Sequence, residues 1–246
     1  MMPPMKKVAV IVPIYKQKLD VLEDLSLKHS LNILYKREKY FICPKNLDTS
    51  YYREQYDLTS YIEFDETYFN SLIAYSDLMM SRSFYERFSS YDFILILQTD
   101  AIILNDDLDY WMNEPYDYIG APWPDGIHIK INISRFLFHR KKFTFYVGNG
   151  GLSLRRVNKI LLIIDELENV KQKLVKKGYL EDFFFGLAGS LSKDFKIPNQ
   201  AVASRFSLEL KPSYFFKLNG GNLPMGGHAW WKHEPEFWRE HIPFKF

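Results

Sequence analysis

The segment Phe93 to Asp107, FILILQTDAIILNDD, interrupts an apolar run with Gln98, Thr99 and Asp100 and then resumes it. If Phe93 to Leu97 is a strand of an open α/β sheet, Asp100 lies just beyond its carboxyl end, where ligands bind in such sheets. A carboxylate there can coordinate Mg²⁺ or Mn²⁺, hard cations that bridge to phosphates. Taken alone, so short a match is better explained as a turn cap, with Gln98 bonding the backbone. A second group is YLEDFFFG, where Glu181 and Asp182 stand at the start of a helical pattern. Adjacent helix residues point about 100° apart, so the two carboxylates cannot serve one atom equally. A helix N-terminus favours the ionised form, which would keep either one a competent base or ligand at neutral pH. Phe183, Phe184 and Phe185 would limit water there, although an ordinary acidic first turn accounts for the pair by itself. In PMGGHAWW, the imidazole of His228 could complete a Mn²⁺ site, whereas Mg²⁺ is better served by oxygen; a lone histidine is more often exposed or bonded in a core. In VGNGGLSLRR, Gly148, Gly150 and Gly151 strip side chains from around Asn149 and let backbone N–H groups approach a ligand. Asn-Gly is also a favoured hairpin turn, and such a turn can line a pocket.

Other chemistries are excluded by pattern. The remaining histidines show no HxxxH spacing, and neither a Walker-type phosphate loop nor the dinucleotide fingerprint occurs. There is no G-x-S-x-G elbow. Cys43 is the single cysteine and falls in a strand-like segment, so an intramolecular disulfide, a Cys-rich zinc site and cysteine nucleophilic chemistry are not expected.

The elements that must position these groups follow from periodicity. Val8 to Ile14 is short, β-branched and apolar, which predicts a strand buried on both faces. Leu19 to Leu34 has helical spacing, and Tyr40 to Pro44 predicts a second strand, giving a β-α-β start and hence a doubly wound sheet. Tyr61 to Asp65 predicts a third strand, Ser71 to Phe88 a helix, and Phe93 to Leu97 the next strand. Further on, Tyr116 to Trp123 reads as a short strand entering a Pro-bounded loop, and Gly126 to Lys142 as a loop. The run from Phe145 to Arg156 reads as strand, glycine turn and strand. Val157 to Lys177 reads as one long amphipathic helix, YLEDFFFGLAGSL as another, and the Gly-, Pro- and Trp-rich tail from Pro212 as loop. No internal repeat or low-complexity linker divides the chain, so one domain over 1–246 is expected.

The 246 residues suffice for one large α/β core. A net charge of +2 gives no reason to expect a nucleic-acid partner. The 17 Tyr, 20 Phe and 5 Trp are an excess best explained by core packing, with stacking on bases or sugars as the other use. The opening MMPPMKKVAVIVPIYK resembles a signal peptide superficially, but Pro13 and Lys16 end its apolar run, and a first strand is the better reading. No apolar stretch approaches the roughly 20 residues that span a bilayer. Together with the cysteine count this predicts a soluble, cytoplasmic protein. The basic and aromatic SRFLFHRKKF reads first as a solvated loop; closure over a ligand or peripheral contact with an anionic membrane surface are its alternatives.

The order of these segments is more specific than any one of them. YDFILILQTDAIIL, YDYIGAPW, VGNGGLSLRR and EDFFFG, in this order, resemble a bacterial family of GT-A-fold glycosyltransferases formerly treated as a domain of unknown function. The resemblance runs from about Val8 to His228. It implies a nucleotide-binding half at about 8–104 and an acceptor or catalytic half at about 116–246. QTD would occupy the place of a DxD motif, with Asp100 binding metal and diphosphate and Gln98 replacing an acid that holds ribose or a metal-bound water. Pro13 and Tyr15 would line the nucleotide pocket, and Asn149, Gly150 and Gly151 would border the sugar. Asp182 would be the catalytic base, with Glu181 the alternative, and His228 a further ligand of Mn²⁺ or Mg²⁺. Arg155 or Arg156 could steady phosphate charge or simply be surface residues. The implied reaction moves a hexose, with inversion, from a nucleotide sugar to a glycan or lipid-linked glycan in surface polysaccharide synthesis. A non-catalytic nucleotide- or carbohydrate-binding module is the alternative, and a nucleotidyltransferase fits less well because VPIYKQKLD is not a Gly-rich loop.

Overall fold

Val8–Pro13 forms β1, and all six of its residues are buried. Val8, Val10 and Val12 pack on one face of the sheet with Leu27, Leu34 and Phe41. Ala9 and Ile11 pack on the other with Leu78, Phe84 and Ile160. A strand covered on both faces needs apolar residues at every position, which is why this segment is continuous rather than alternating. The computed structural model describes residues 6–57, 60–131 and 141–246.

In chain order, β1 is followed by α1 (Val21–Ile33), β2 (Glu38–Pro44), α2 (Ser50–Gln55), β3 (Tyr61–Phe64), α3 (Leu72–Met79), α4 (Arg82–Glu86) and β4 (Phe93–Leu97). Then come β5 (Ala101–Ile103), α5 (Leu108–Asn113), β6 (Tyr118–Ile119), β7 (Pro122–Ile131), β8 (Lys141–Val147) and β9 (Leu152–Arg156). The chain closes with α6 (Val157–Glu166), α7 (Glu168–Val175), α8 (Glu181–Leu191), α9 (Gln200–Phe206), β10 (Ser207–Leu208), α10 (Pro212–Leu218), β11 (Gly226–His228) and α11 (Pro235–His241).

The main sheet has the order β3-β2-β1-β4-β9-β6. β1 to β4 run parallel, and β9 lies antiparallel to both β4 and β6. The chain winds outward from β1 to β3 and then returns to place β4 on the other side of β1. The point between β1 and β4 is therefore the topological switch, and the crevice beyond their carboxyl ends is the natural ligand position. This is the mixed, mostly parallel α/β sheet that the sequence predicts. A smaller sheet, β10-β11-β5, lies alongside, and β7 pairs with β8.

Several elements differ from expectation. The region Gly126 to Lys142 is not wholly loop: β7 and β8 form an antiparallel pair in register from Ile127–Phe145 to Ile131–Lys141. Most of SRFLFHRKKF, its residues 134–140, lies outside the described residues. VGNGGLSLRR is no hairpin, because β8 pairs with β7 while β9 enters the main sheet. Ser71 to Phe88 is two helices, since the Ser81 hydroxyl accepts from Phe84 N and caps a new start. Val157 to Lys177 is likewise broken, at Leu167, which leaves helical geometry. The tail from Pro212 contains two helices rather than loop alone. In both, the proline read as a breaker occupies the first helical turn, where its missing N–H costs nothing. Trp230 and Trp238 are fully buried in this region, and Trp230 Nε1 donates to Ser26 on α1 at 2.8 Å. The aromatic excess thus goes largely to core packing.

Candidate functional site

Gln98, Thr99 and Asp100 form the turn that ends β4. The turn is closed by backbone alone, with Ala101 N donating to the Gln98 carbonyl at 2.9 Å, so the Asp100 carboxylate is not spent on capping. Its Oδ1 lies 3.1 Å from His228 Nε2, and its Oδ2 accepts from Lys232 Nζ at 2.7 Å. Gln98 Oε1 lies 3.1 Å from the same His228 Nε2. β11 carries His228 to this point by pairing antiparallel with β5, and Ala229 N donates to the Asp100 carbonyl at 2.9 Å. Ala229 has a φ of 47°, a left-handed backbone that a non-glycine residue holds only when its surroundings enforce it. The other imidazole nitrogen, Nδ1, lies 3.2 Å from Glu209 Oε1, off the line of a hydrogen bond.

Burial would push Asp100 up, but the contacts of His228 and Lys232 outweigh it and hold the carboxyl below the usual carboxylate range. Burial would likewise lower His228, yet Asp100 and Glu209 outweigh it and raise the imidazole to about 10. The imidazole thus sits between two carboxylates, Asp100 facing Nε2 and Glu209 facing Nδ1.

A cavity of about 550 Å³ opens beside it, at the switch point. Pro13, Tyr15, Gln98 and Asp100 line it, together with Lys16, Glu23, Tyr75, Trp231 and Lys232. Tyr15 is 56% exposed and can offer its ring to a planar group. Glu23 is buried beneath the rim, where it accepts from Lys16 Nζ at 2.7 Å and Thr99 Oγ1 at 3.0 Å.

Asn149, Gly150 and Gly151 do not line this cavity; they back onto the side chains around it. A Cβ on Gly151 would sit 2.1 Å from His228 Nε2, and one on Gly150 would sit 2.5 Å from Glu181 Oε1. These glycines are needed for close approach rather than for unusual dihedrals. Asn149 donates its amide to Glu209 Oε2 and accepts from Gly151 N. Gln98 N donates to the Gly151 carbonyl at 2.9 Å, tying the glycine loop to the QTD turn.

Glu181 and Asp182 open α8 behind this loop, and they differ. Glu181 is buried, with Oε2 accepting from Ser76 Oγ at 2.5 Å and Oε1 3.6 Å from Arg155 Nη2. Asp182 has no cation that close among the described residues. Burial first, then the charges of Glu181 and Glu209, push its carboxyl well above the ordinary range. This reverses the expectation that the helix terminus keeps it readily ionised: desolvation and like charge outweigh the dipole. Arg155 is fully buried between Glu181, Tyr85 and Ser153, and Arg156 is bound to Asp117 at 2.8 Å. Arg155 is no surface residue, Arg156 is half-buried, and neither lines the cavity. Cys43 is buried in β2, where burial raises its thiol to about 11.

Three polar residues that touch the cluster or its turn fall outside the sequence expectations. Glu23 had a legible signal, the D-x-x-E capping box from Asp20, which the structure forms in full. Lys232 had only its nearness to His228, and Glu209, in the ordinary-looking SLEL, had none. Among the described residues no three His, Cys, Asp or Glu side chains converge as a ready metal-binding group, and no helix is long and apolar enough to cross a membrane.

Two solved structures of the glycosyltransferase LgtC share the fold. The galactosyltransferase in complex with donor and acceptor sugar analogues aligns with a TM-score of 0.54 at 13% identity, over 89% of this chain and 86% of that one. An active-site mutant of LgtC aligns with a TM-score of 0.57 at 14% identity over the same shares. The apo-form glycosyltransferase GlyE of Streptococcus pneumoniae TIGR4 aligns at 0.49 and 14% identity over 91% of this chain, which spans only 54% of GlyE. The two LgtC alignments show that the fold is that of GT-A glycosyltransferases. No curated protein matches the sequence. Residues 59–228 match the family described as a protein of unknown function (DUF5672), and the chain belongs to that family.

Proposed function

We propose that the chain is a glycosyltransferase that moves a hexose from a nucleotide-diphosphate sugar to a hydroxyl of a glycan or lipid-linked glycan, with Mn²⁺ or Mg²⁺ held by Asp100 and His228. The observation that carries this reading is the meeting of Asp100 Oδ1, Gln98 Oε1 and His228 Nε2 beside the switch-point cavity. A carboxylate oxygen, an amide oxygen and an imidazole nitrogen that face one another are donors such a cation accepts, and water and diphosphate oxygens would complete so small a set. Bound there, the cation would neutralise charge on the leaving diphosphate.

The chain's own residues do the remaining work. Lys232, on the second Asp100 oxygen and at the cavity wall, can turn to phosphate oxygens as a point charge. Tyr15 can stack on the base, and the Gln98 amide can bond a ribose hydroxyl. Asp182, at the start of α8, takes the acceptor proton when its carboxyl is ionised, a form that its surroundings make a stronger base than an exposed aspartate. In-line attack opposite the leaving group would invert the anomeric carbon. Bacterial surface-polysaccharide synthesis at the inner face of the membrane is the setting we assign, on the family resemblance of the sequence blocks.

One observation favours a second reading, a non-catalytic nucleotide- or carbohydrate-binding module. Lys232 already neutralises Asp100, and Gln98 stands where a second acid could have been. The test is a donor screen with Mn²⁺ and each common nucleotide sugar, reading released nucleoside diphosphate. Hydrolysis of one donor, lost in Asp100→Ala and Asp182→Ala, is expected. Metal-independent nucleotide binding without turnover, unchanged in Asp100→Ala, would establish the module instead.

A further inference from the structure

Glu209 follows β10 and lies in none of the sequence blocks that suggest a function. Its side chain is only 13% exposed, yet both carboxylate oxygens face residues of the site. Oε1 is 3.2 Å from His228 Nδ1, and Oε2 accepts the amide of Asn149. Asn149 in turn receives Gly151 N, and Gly151 packs directly against the His228 ring. One carboxylate therefore braces the imidazole from behind and anchors the glycine loop that confines the ring from the side.

The consequence is chemical as well as steric. An imidazole can offer Nε2 as a metal-binding lone pair only if its proton resides on Nδ1, and a partner on Nδ1 selects that tautomer. A carboxylate there also makes the ring a better donor to the metal. Glu209 is the group that faces Nδ1, whereas Asp100 and Gln98 both face Nε2.

We infer that Glu209 is the positioning residue of the cation site, fixing the ring orientation and tautomer of His228 and, through Asn149, the glycine loop beside it. This rests on the reading of Asp100 and His228 as cation ligands. Glu209 touches neither cation nor substrate; it acts through His228.

The test is Mn²⁺ affinity of the whole chain without any donor, read by electron paramagnetic resonance of the free ion. Glu209→Gln should weaken Mn²⁺ by roughly 10- to 100-fold, the usual cost of losing such a carboxylate. Glu209→Asp, which keeps the charge, should recover part of the loss. In a His228→Ala background Glu209→Gln should add nothing further, because the two act as one unit. Asn149→Ala should leave Mn²⁺ affinity within a few-fold of wild type. If Glu209→Gln and Glu209→Asp bind Mn²⁺ like the wild type while Asp100→Ala does not, the inference is overturned and the cation reading stands. It is overturned in the same way if Glu209→Gln weakens Mn²⁺ equally with and without His228. If wild type and Asp100→Ala bind equally weakly, the cation reading falls and takes the inference with it.

Discussion

At the scale of single residues, the site turns on which carboxylates are held charged and which are not. Asp100 lies between His228 and Lys232 and is held below the usual carboxylate range, Glu181 is matched to Arg155, and Asp182 is half-buried near two other acids. The last arrangement has a measurable consequence. A carboxyl whose folded pKa is raised binds a proton in the native state that the unfolded chain has already released. Stability is therefore lost as pH rises from the ordinary carboxylate range towards the raised value. Asp182→Asn cannot ionise and escapes this loss. It should melt higher than the wild type at pH 8, with the difference shrinking towards pH 4, while donor turnover disappears. Melting curves over that range check it, and a difference that did not vary with pH would contradict the burial argument.

At the scale of elements, α8 is tied to the sheet by charge in a dry place. Arg155 of β9 donates to Tyr85 at 2.8 Å and faces Glu181, while Ser76 of α3 holds the other Glu181 oxygen. Breaking one partner of a buried pair leaves the other uncompensated, typically at about 3–5 kcal/mol. Arg155→Met should thus lose about that much in urea denaturation, and Arg155→Met with Glu181→Gln should regain a large part of it. Equal losses in both variants would mean that the guanidinium's contacts to Tyr85 and Ser153, rather than its charge, hold the helix. The elements also show why some boundaries were illegible. Pro212 and Pro235 have the same local chemistry at a helix start as in a loop, and only the preceding left-handed residues, Lys211 and Glu234, make them starts. VGNGG has turn chemistry in either case, and which strands it joins is a matter of long-range pairing.

At the scale of the molecule, the main sheet takes β1 to β4 from the first half of the chain and β9 and β6 from the second. β9 is inserted between β4 and β6, in register from Phe93–Arg156 to Leu97–Leu152 on one side. Neither half can unfold without stripping a strand from the other's core. Calorimetry and near-ultraviolet dichroism should accordingly report one coincident transition for the described chain. Two resolved transitions would show that the halves, at about 8–104 and 116–246, are separable units.

The sequence by itself determined the doubly wound start, the strand that delivers Asp100, and the residue types able to hold a cation or move a proton, because these depend on local periodicity and on side-chain chemistry. It also marked Pro13, Tyr15, Gln98 and Asp100, which do share one cavity, since strand ends in such a sheet are drawn to one edge. Only the tertiary structure decided that His228 reaches Asp100, that Lys232 and Glu209 join them, that the glycine loop packs behind the cluster instead of lining the pocket, and that Arg155 is buried. Those facts depend on contacts between residues up to 132 positions apart, as with Lys232 and Asp100, and on burial that no local pattern encodes. The reversal at Asp182 has the same origin: a helix terminus is visible in a sequence, but the desolvation and like charges that override it are made by chain segments brought together only on folding.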